Sequence, residues 1–212
     1  MTATGDSPPE PSPEDLKLAQ QMAPYLLETG WIESRRLRRS VDRDQRPIPW
    51  LTYPAIDFLA ERVTGGMSVF EFGSGYSTLW WAERAARVTC VEHNPDWAEE
   101  VRSMMPPNVD FNHVALEPDG DYCHMARAKR KSFDVIVVDG RDRVNCALRS
   151  VDSLSPDGVI VWDNSDRRRY AAGVAALRKR GFRQLKFRGP TPIDTWVAET
   201  SVFYRARNCL GL

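Results

Sequence analysis

The sequence predicts an α/β fold: a doubly wound, mostly parallel seven-stranded sheet with an antiparallel hairpin at its C-terminal edge and a helical extension at its N-terminus. Three observations predict it. From Met67 onward, short apolar runs rich in Val, Ile and Phe recur along the chain. Segments of about 10–15 residues with helical periodicity separate them. Such alternation builds right-handed β-α-β units whose strands lie parallel and are covered on both faces. The last two runs are joined by GPTPIDTWVAE, which carries no helical stripe, so that pair is expected to be antiparallel.

Composition bounds the rest. With 212 residues and 42% hydrophobic content the chain can bury one sizeable core. Lys plus Arg and Asp plus Glu number 29 each, so no global basic field exists to recruit nucleic acid, and no nucleic-acid partner is expected. The basic clusters Arg35–Arg36/Arg38–Arg39, Arg127/Lys129–Lys131 and Arg167–Arg169 read first as solvated faces, and second as local contacts to an anionic substrate group. Cys90, Cys123, Cys146 and Cys209 show no C-x-x-C spacing and read as free thiols in a reducing compartment. No window approaches the ~18 apolar residues of a spanning helix and no signal core opens the chain, so the expectation is a cytoplasmic protein without a membrane partner. Whether it forms a homodimer is left open.

Residues 1–13, with Pro8, Pro9, Pro11 and Pro13, are expected to be a disordered tail. Residues 14–53 form an N-terminal helical or lid segment: one helix from Pro13–Glu14 through Leu26, ended by Gly30, then a charged, weakly periodic stretch of loop or short helices. Residues 54–207 form the α/β domain. Its elements are a helix over Pro54–Val63, the strand MSVFEFG, a helix over Thr78–Ala86, the strand RVTCVEHN, a helix over Pro95–Met105 and a third strand over residues 109–115. A polar helix near 120–131, the strand SFDVIVVDG, a helix over Val144–Leu154, the strand GVIVWDN, a helix over Tyr170–Arg180 and the strands FRQLKFRG and TSVFYR complete it. His113 and the Trp80–Trp81 pair read as packing residues.

Ligands of such sheets bind beyond the carboxyl ends of the strands. After the first strand comes Glu71-Phe72-Gly73-Ser74-Gly75-Tyr76-Ser77, where the two glycines permit a tight turn and close approach to a ligand. The third glycine of the dinucleotide fingerprint is missing, which weakens the case for a nicotinamide cofactor. A carboxylate at Glu71 repels a pyrophosphate and suits a ligand bearing an ammonium group. Glu92, at the end of the second strand, can accept both hydroxyls of a ribose. A helix cap needs only Asn94 or Asp96 and leaves Glu92 unexplained.

VFEFGSGYSTLWWA and VTCVEHNPDWA together resemble motif I and the ribose-binding motif of the class I, Rossmann-like, S-adenosylmethionine-dependent methyltransferases. The resemblance spans roughly residues 50–205. It implies that Glu71, Gly73, Ser74, Gly75, Tyr76 and Ser77 hold the methionine end of S-adenosylmethionine, that Glu92 holds the ribose, and that His93 and Ala115 flank the adenine. Thr52 and Tyr53, with Trp50, either close over the methionine end or pack as an ordinary helix start. Asp139, at the end of the fourth strand, borders both cofactor and acceptor.

Asp139 and the Asp163-Asn164 pair end neighbouring strands, about 4.8 Å apart. An all-oxygen set suits Mg²⁺, Mn²⁺ or Ca²⁺. The trio is similar to the divalent-metal site of the catechol and caffeoyl-coenzyme A O-methyltransferases, which implies metal ligands Asp139, Asp163 and Asn164 and a small-molecule or sugar hydroxyl as acceptor. Those enzymes place a lysine base three residues past the fourth-strand acid; here that position is Asp142, a base, a ligand, or a partner of Arg143. The catalytic expectation is Asp139, Asp142 and Asp163. Methylation of nitrogen without metal, a nucleotide-binding protein of the NAD type, and a non-catalytic relic are the alternatives.

Overall fold

The structure is a computed structural model and describes residues 12–128 and 132–212. Most of the expected tail, and Lys129, Arg130 and Lys131, lie outside the described residues. Pro24 splits the expected first helix, because a proline is tolerated only in a first turn: α1 (Pro13–Gln20) ends and α2 (Ala23–Glu28) restarts around it. The charged stretch that follows contains a third helix, α3 (Trp31–Leu37). Gly30 adopts φ +80 between α2 and α3 and lies against the backbone of Asp42, where a Cβ would sit 2.3 Å from a carbonyl carbon.

After α4 (Tyr53–Ala60) come β1 (Ser68–Phe72), α5 (Tyr76–Arg84), β2 (Arg87–Glu92), α6 (Pro95–Arg102) and β3 (Val109–His113). The chain continues through α7 (Asp121–His124), β4 (Phe133–Val138), α8 (Arg143–Ser150), β5 (Leu154–Asp163), α9 (Ala171–Lys179), β6 (Arg183–Pro190) and β7 (Val197–Tyr204). The order across the sheet is β3-β2-β1-β4-β5-β7-β6. Strands β1 to β5 pair parallel, and β7 runs antiparallel to both of its neighbours. The closing pair is thus antiparallel as expected, with β7 inserted beside β5 and β6 on the edge.

Side chains alternate across the sheet with period two. Val69, Val135, Val137, Val159, Val161 and Val202 face α4 and α5, where Trp80 and Trp81 are both buried. Phe70, Phe72, Ile136, Val138, Ile160, Trp162 and Phe203 face α7, α8 and α9. The strand order reverses between β1 and β4, which opens a crevice at their carboxyl ends. Register fixes what meets there. Phe72 is level with Val91 and with Val138, and Val138 with Trp162. The next residues along, Gly73, Glu92, Asp139 and Asp163, therefore stand side by side. Among the described residues no helix is long and apolar enough to cross a membrane.

Candidate active site

Gly73 and Gly75 adopt φ +104 and +144, in the left-handed half of backbone space that only glycine enters without strain. A Cβ on Gly75 would stand 3.2 Å from the Trp97 ring. The turn they make is tied down from within: the Gly75 amide donates to Thr78 Oγ1 at 3.0 Å, and that hydroxyl donates to Glu71 Oε2 at 2.5 Å. Glu71 is buried, and its other oxygen, Oε1, has no partner. Burial pushes its carboxyl up to about 7 against the hydrogen bonds that hold it down. A buried carboxylate with an orphan oxygen bordering a cleft is prepared for a cationic ligand group.

Glu92 is also buried, and it is fully dressed on one side. Its Oε1 accepts the amides of His93 and Asn94, each at 2.8 Å, while Oε2 accepts Ser74 Oγ at 3.2 Å. The amide bonds fix the carboxylate at the mouth of β2, and Oε2 faces the glycine turn. Asn94 caps α6 by accepting the Trp97 amide, and Trp97 Nε1 donates to the Ser74 carbonyl at 2.9 Å. The indole therefore braces the glycine turn. The sequence reading passed over Trp97; its place in the first turn of α6, behind an Asn-Pro cap, was the available signal.

Beyond Asp139 the cleft changes character. Asp139, Asp163 and Asn164 converge, and Arg143 from the first turn of α8 enters among them. Its Nη2 donates to the Asp139 carbonyl at 2.7 Å and to Asp139 Oδ1 at 2.8 Å. Its Nη1 donates to the Asp163 carbonyl and reaches Asp163 Oδ2 at 3.3 Å and Asn164 Oδ1 at 3.4 Å. Its Nε donates to the Gly140 carbonyl at 3.0 Å. Thr200 on β7 donates to Asp163 Oδ1 at 2.9 Å. Asn164 takes φ +55, a conformation asparagine tolerates, which turns the chain sharply off β5. Burial raises the Asp139 carboxyl well above the usual range; Arg143 pulls it down, and Asp163 and Glu71 push it further up. Asp163 is raised in the same direction, also by burial, with Arg143 and Thr200 opposing.

A divalent cation would need these same oxygens, and the guanidinium already uses one from each of the three side chains. With Arg143 so placed, the trio does not fit a metal. The sequence reading had Arg143 only as a partner for Asp142; its spacing of four residues from Asp139, one helical turn, was the missed signal.

Other expected residues lie elsewhere. Asp142 is not brought into the cleft: its carboxylate accepts the Asp119 amide at 3.0 Å and Asn145 Nδ2 at 3.0 Å, on the far side of the loop. Thr52 and Tyr53 do not close over the cleft either. The Thr52 amide donates to Thr200 Oγ1 and its hydroxyl donates to the Phe187 carbonyl, while Tyr53 packs in the core, so helix-start packing wins there. Ala115 is exposed past the end of β3, which stops at His113. Tyr76 lines a side chamber of about 270 Å³ with Arg38, Arg39 and Ser40, whereas Ser77 lines both that chamber and the main cavity.

The main cavity has a volume of about 600 Å³. It runs from Glu71, Gly73, Ser74, Glu92 and His93 to Asp139, Asp163 and Asn164, and is rimmed by Trp50, Arg141, Arg167 and Trp196. The β6–β7 loop forms its outer wall and is held by the N-terminal segment. The Asp194 carbonyl accepts Trp31 Nε1, its carboxylate accepts Trp50 Nε1 and Thr191 Oγ1, and Arg35 donates to the Ile193 carbonyl.

Residues 70–165 match the family model described as a methyltransferase domain. No curated protein matches the chain. Among solved structures, the chain is similar to a methyltransferase-like protein from Silicibacter pomeroyi, with 24% identity over 74% of this chain and 89% of that one, at a TM-score of 0.51. A methyltransferase from Geobacter sulfurreducens aligns over 93% of this chain and 91% of its own, with 18% identity and a TM-score of 0.51. A putative methyltransferase from Streptococcus mutans, solved in complex with SAH, aligns over 70% and 94%, with 11% identity and a TM-score of 0.51. These structures share the fold, and the matched domain contains β1 to β5 with Glu71, Glu92, Asp139 and Asp163. Residues 70–165 are thus similar to a methyltransferase domain, and the chain as a whole has the Rossmann-like fold of these methyltransferase structures.

Proposed function

We propose that the chain methylates an oxygen of a small molecule, with Asp139 as the group that accepts the hydroxyl proton. The observation that carries this reading is the continuity of one cavity of about 600 Å³ from the glycine turn and Glu92 to the carboxyls of Asp139 and Asp163. That volume lies in the usual range of small-molecule sites, roughly 300–1,000 Å³. The zero net charge agrees with a small acceptor and gives no support to a nucleic acid.

In this reading S-adenosylmethionine supplies an electrophilic methyl group on a sulfonium. Glu71 faces its ammonium and Glu92 its ribose hydroxyls. A hydroxyl is a weak nucleophile until its proton leaves, whereas a neutral amine attacks without help. The raised carboxyl of Asp139, which lines the cavity, suits the first task. The acceptor oxygen forms a bond to the methyl carbon, the carbon–sulfur pair leaves with sulfur, and the hydroxyl proton passes to Asp139. Trp50 and Trp196 offer flat apolar walls, and Arg141 and Arg167 offer cations to an anionic substituent.

The test is transfer of isotopically labelled methyl from S-adenosylmethionine to a panel of phenols, sugars, carboxylates and amines, with the site of methylation read by mass spectrometry. Product from hydroxyl acceptors is expected. Product from amines alone would overturn the reading in favour of nitrogen methylation.

A further inference from the structure

We propose that Arg143 is a built-in cation, which joins the ends of β4 and β5 where a divalent ion would otherwise be needed. The two strand ends bring Asp139, Asp163 and Asn164 together by register alone, since Val138 is level with Trp162. Such a set of oxygens, with one carboxylate buried at Asp163 and the other largely buried at Asp139, is unstable without a positive centre. Arg143 supplies one from α8. Its side chain is only 11% exposed, and its three nitrogens reach one side-chain oxygen of each residue and three backbone carbonyls. A lysine or a hydrated ion could not satisfy the planar fan of carbonyls that this fork meets. The loop geometry agrees with the assignment. Gly140 lets the chain leave β4 against the Phe72 backbone, where a Cβ would fall 3.0 Å from the Phe72 carbonyl, and α8 begins within one turn of Asp139.

The substitution changes the charge of the floor. Two carboxylates balanced by a divalent ion sum to zero; balanced by a guanidinium they keep one negative charge, or one proton between them. A negative floor attracts a sulfonium and does nothing to acidify an acceptor hydroxyl, so proton removal falls to a carboxyl. This consequence rests on the reading of the cleft as a methyl-transfer site, but the cation assignment itself does not. Arg143 acts through Asp139 and Asp163 and is a positioning residue.

The experiment is a Mn²⁺ titration followed by electron paramagnetic resonance on the full chain, with S-adenosylmethionine affinity by calorimetry as the control for an intact cleft. Wild type is expected to show no saturable site up to millimolar Mn²⁺. Arg143→Ala is expected to gain one, at least ten-fold tighter than any wild-type binding, and Arg143→Ala with Asp163→Asn to lose it again. Should Arg143→Ala fail to fold, Arg143→Met keeps the stem volume and carries the same expectation. Saturable wild-type binding that Asp163→Asn abolishes would overturn the proposal, as would a folded Arg143→Ala or Arg143→Met that binds no Mn²⁺. Neither result touches the acceptor panel, so failure here and failure of the oxygen-methylation reading are separable.

Discussion

The cleft has two halves built on different principles. The half at the ends of β1 and β2 is local: Glu71, Gly73, Gly75, Thr78 and Glu92 fall within one β-α-β unit, and their contacts run within 21 residues of sequence. The half at the ends of β4 and β5 is assembled from a distance. Asp139 and Arg143 flank the β4–α8 loop, Asp163 and Asn164 stand at the end of β5, Thr200 is on β7, and Trp50 is in the N-terminal segment. A local constellation keeps its chemistry as long as its turn does. A distributed one can exchange a single member, here an arginine for a cation, and keep its shape.

That difference explains what could be read from the sequence. The fold was legible because alternating apolar runs and helical stripes are local signals, and Glu71, the glycine turn and Glu92 were legible for the same reason. Asp139 and Asp163 could be placed because strand ends are predictable. Whether a guanidinium or a metal stands between them depends on how α8 enters, which no spacing near Asp163 reveals. Asp142 was misjudged because its φ of +46 turns its side chain to Asn145 and away from the cleft. Thr52 and Tyr53 were misjudged because β6 and β7 pack over them, and that contact spans more than 130 residues.

The largest expected effect breaks the distributed half. Asp139→Asn should lower kcat by about 10²–10⁴-fold with S-adenosylmethionine affinity changed only a few-fold. It should also remove the rising limb of the pH–rate profile, which in wild type follows loss of the Asp139 proton at a pH raised above the usual carboxylate range. Unchanged kcat and an unchanged limb would assign proton removal elsewhere.

Glu92→Ala attacks the local half. Losing charge-assisted hydrogen bonds of about 1.5–3 kcal/mol should weaken S-adenosylmethionine about 10- to 100-fold by calorimetry. An unaltered affinity would take the ribose away from Glu92.

Glu71 separates the halves by pH. Its carboxyl is raised from 4.5 to about 7 in the folded chain, so its stabilising contribution is complete below about 4.5 and is lost as pH rises through about 7. Denaturant unfolding of Glu71→Gln should lack this loss, which amounts to on the order of 3 kcal/mol. Parallel stability curves for the two proteins would contradict the burial argument.

The smallest effect belongs to Asp142→Ala. It removes bonds to Asn145 and the Asp119 amide, worth about 0.5–1.5 kcal/mol each before exposure weakens them, and should leave kcat within about two-fold. A large kcat loss would return Asp142 to the site.

The most direct test of the account is a crystal structure grown with S-adenosylhomocysteine and millimolar Mn²⁺. The expected density places the ribose hydroxyls on Glu92, the amino group toward Glu71, the sulfur toward Asp139, and the guanidinium of Arg143 between Asp139 and Asp163. Nucleoside density away from Glu92, or a Mn²⁺ peak between the two carboxylates with Arg143 displaced, would contradict it.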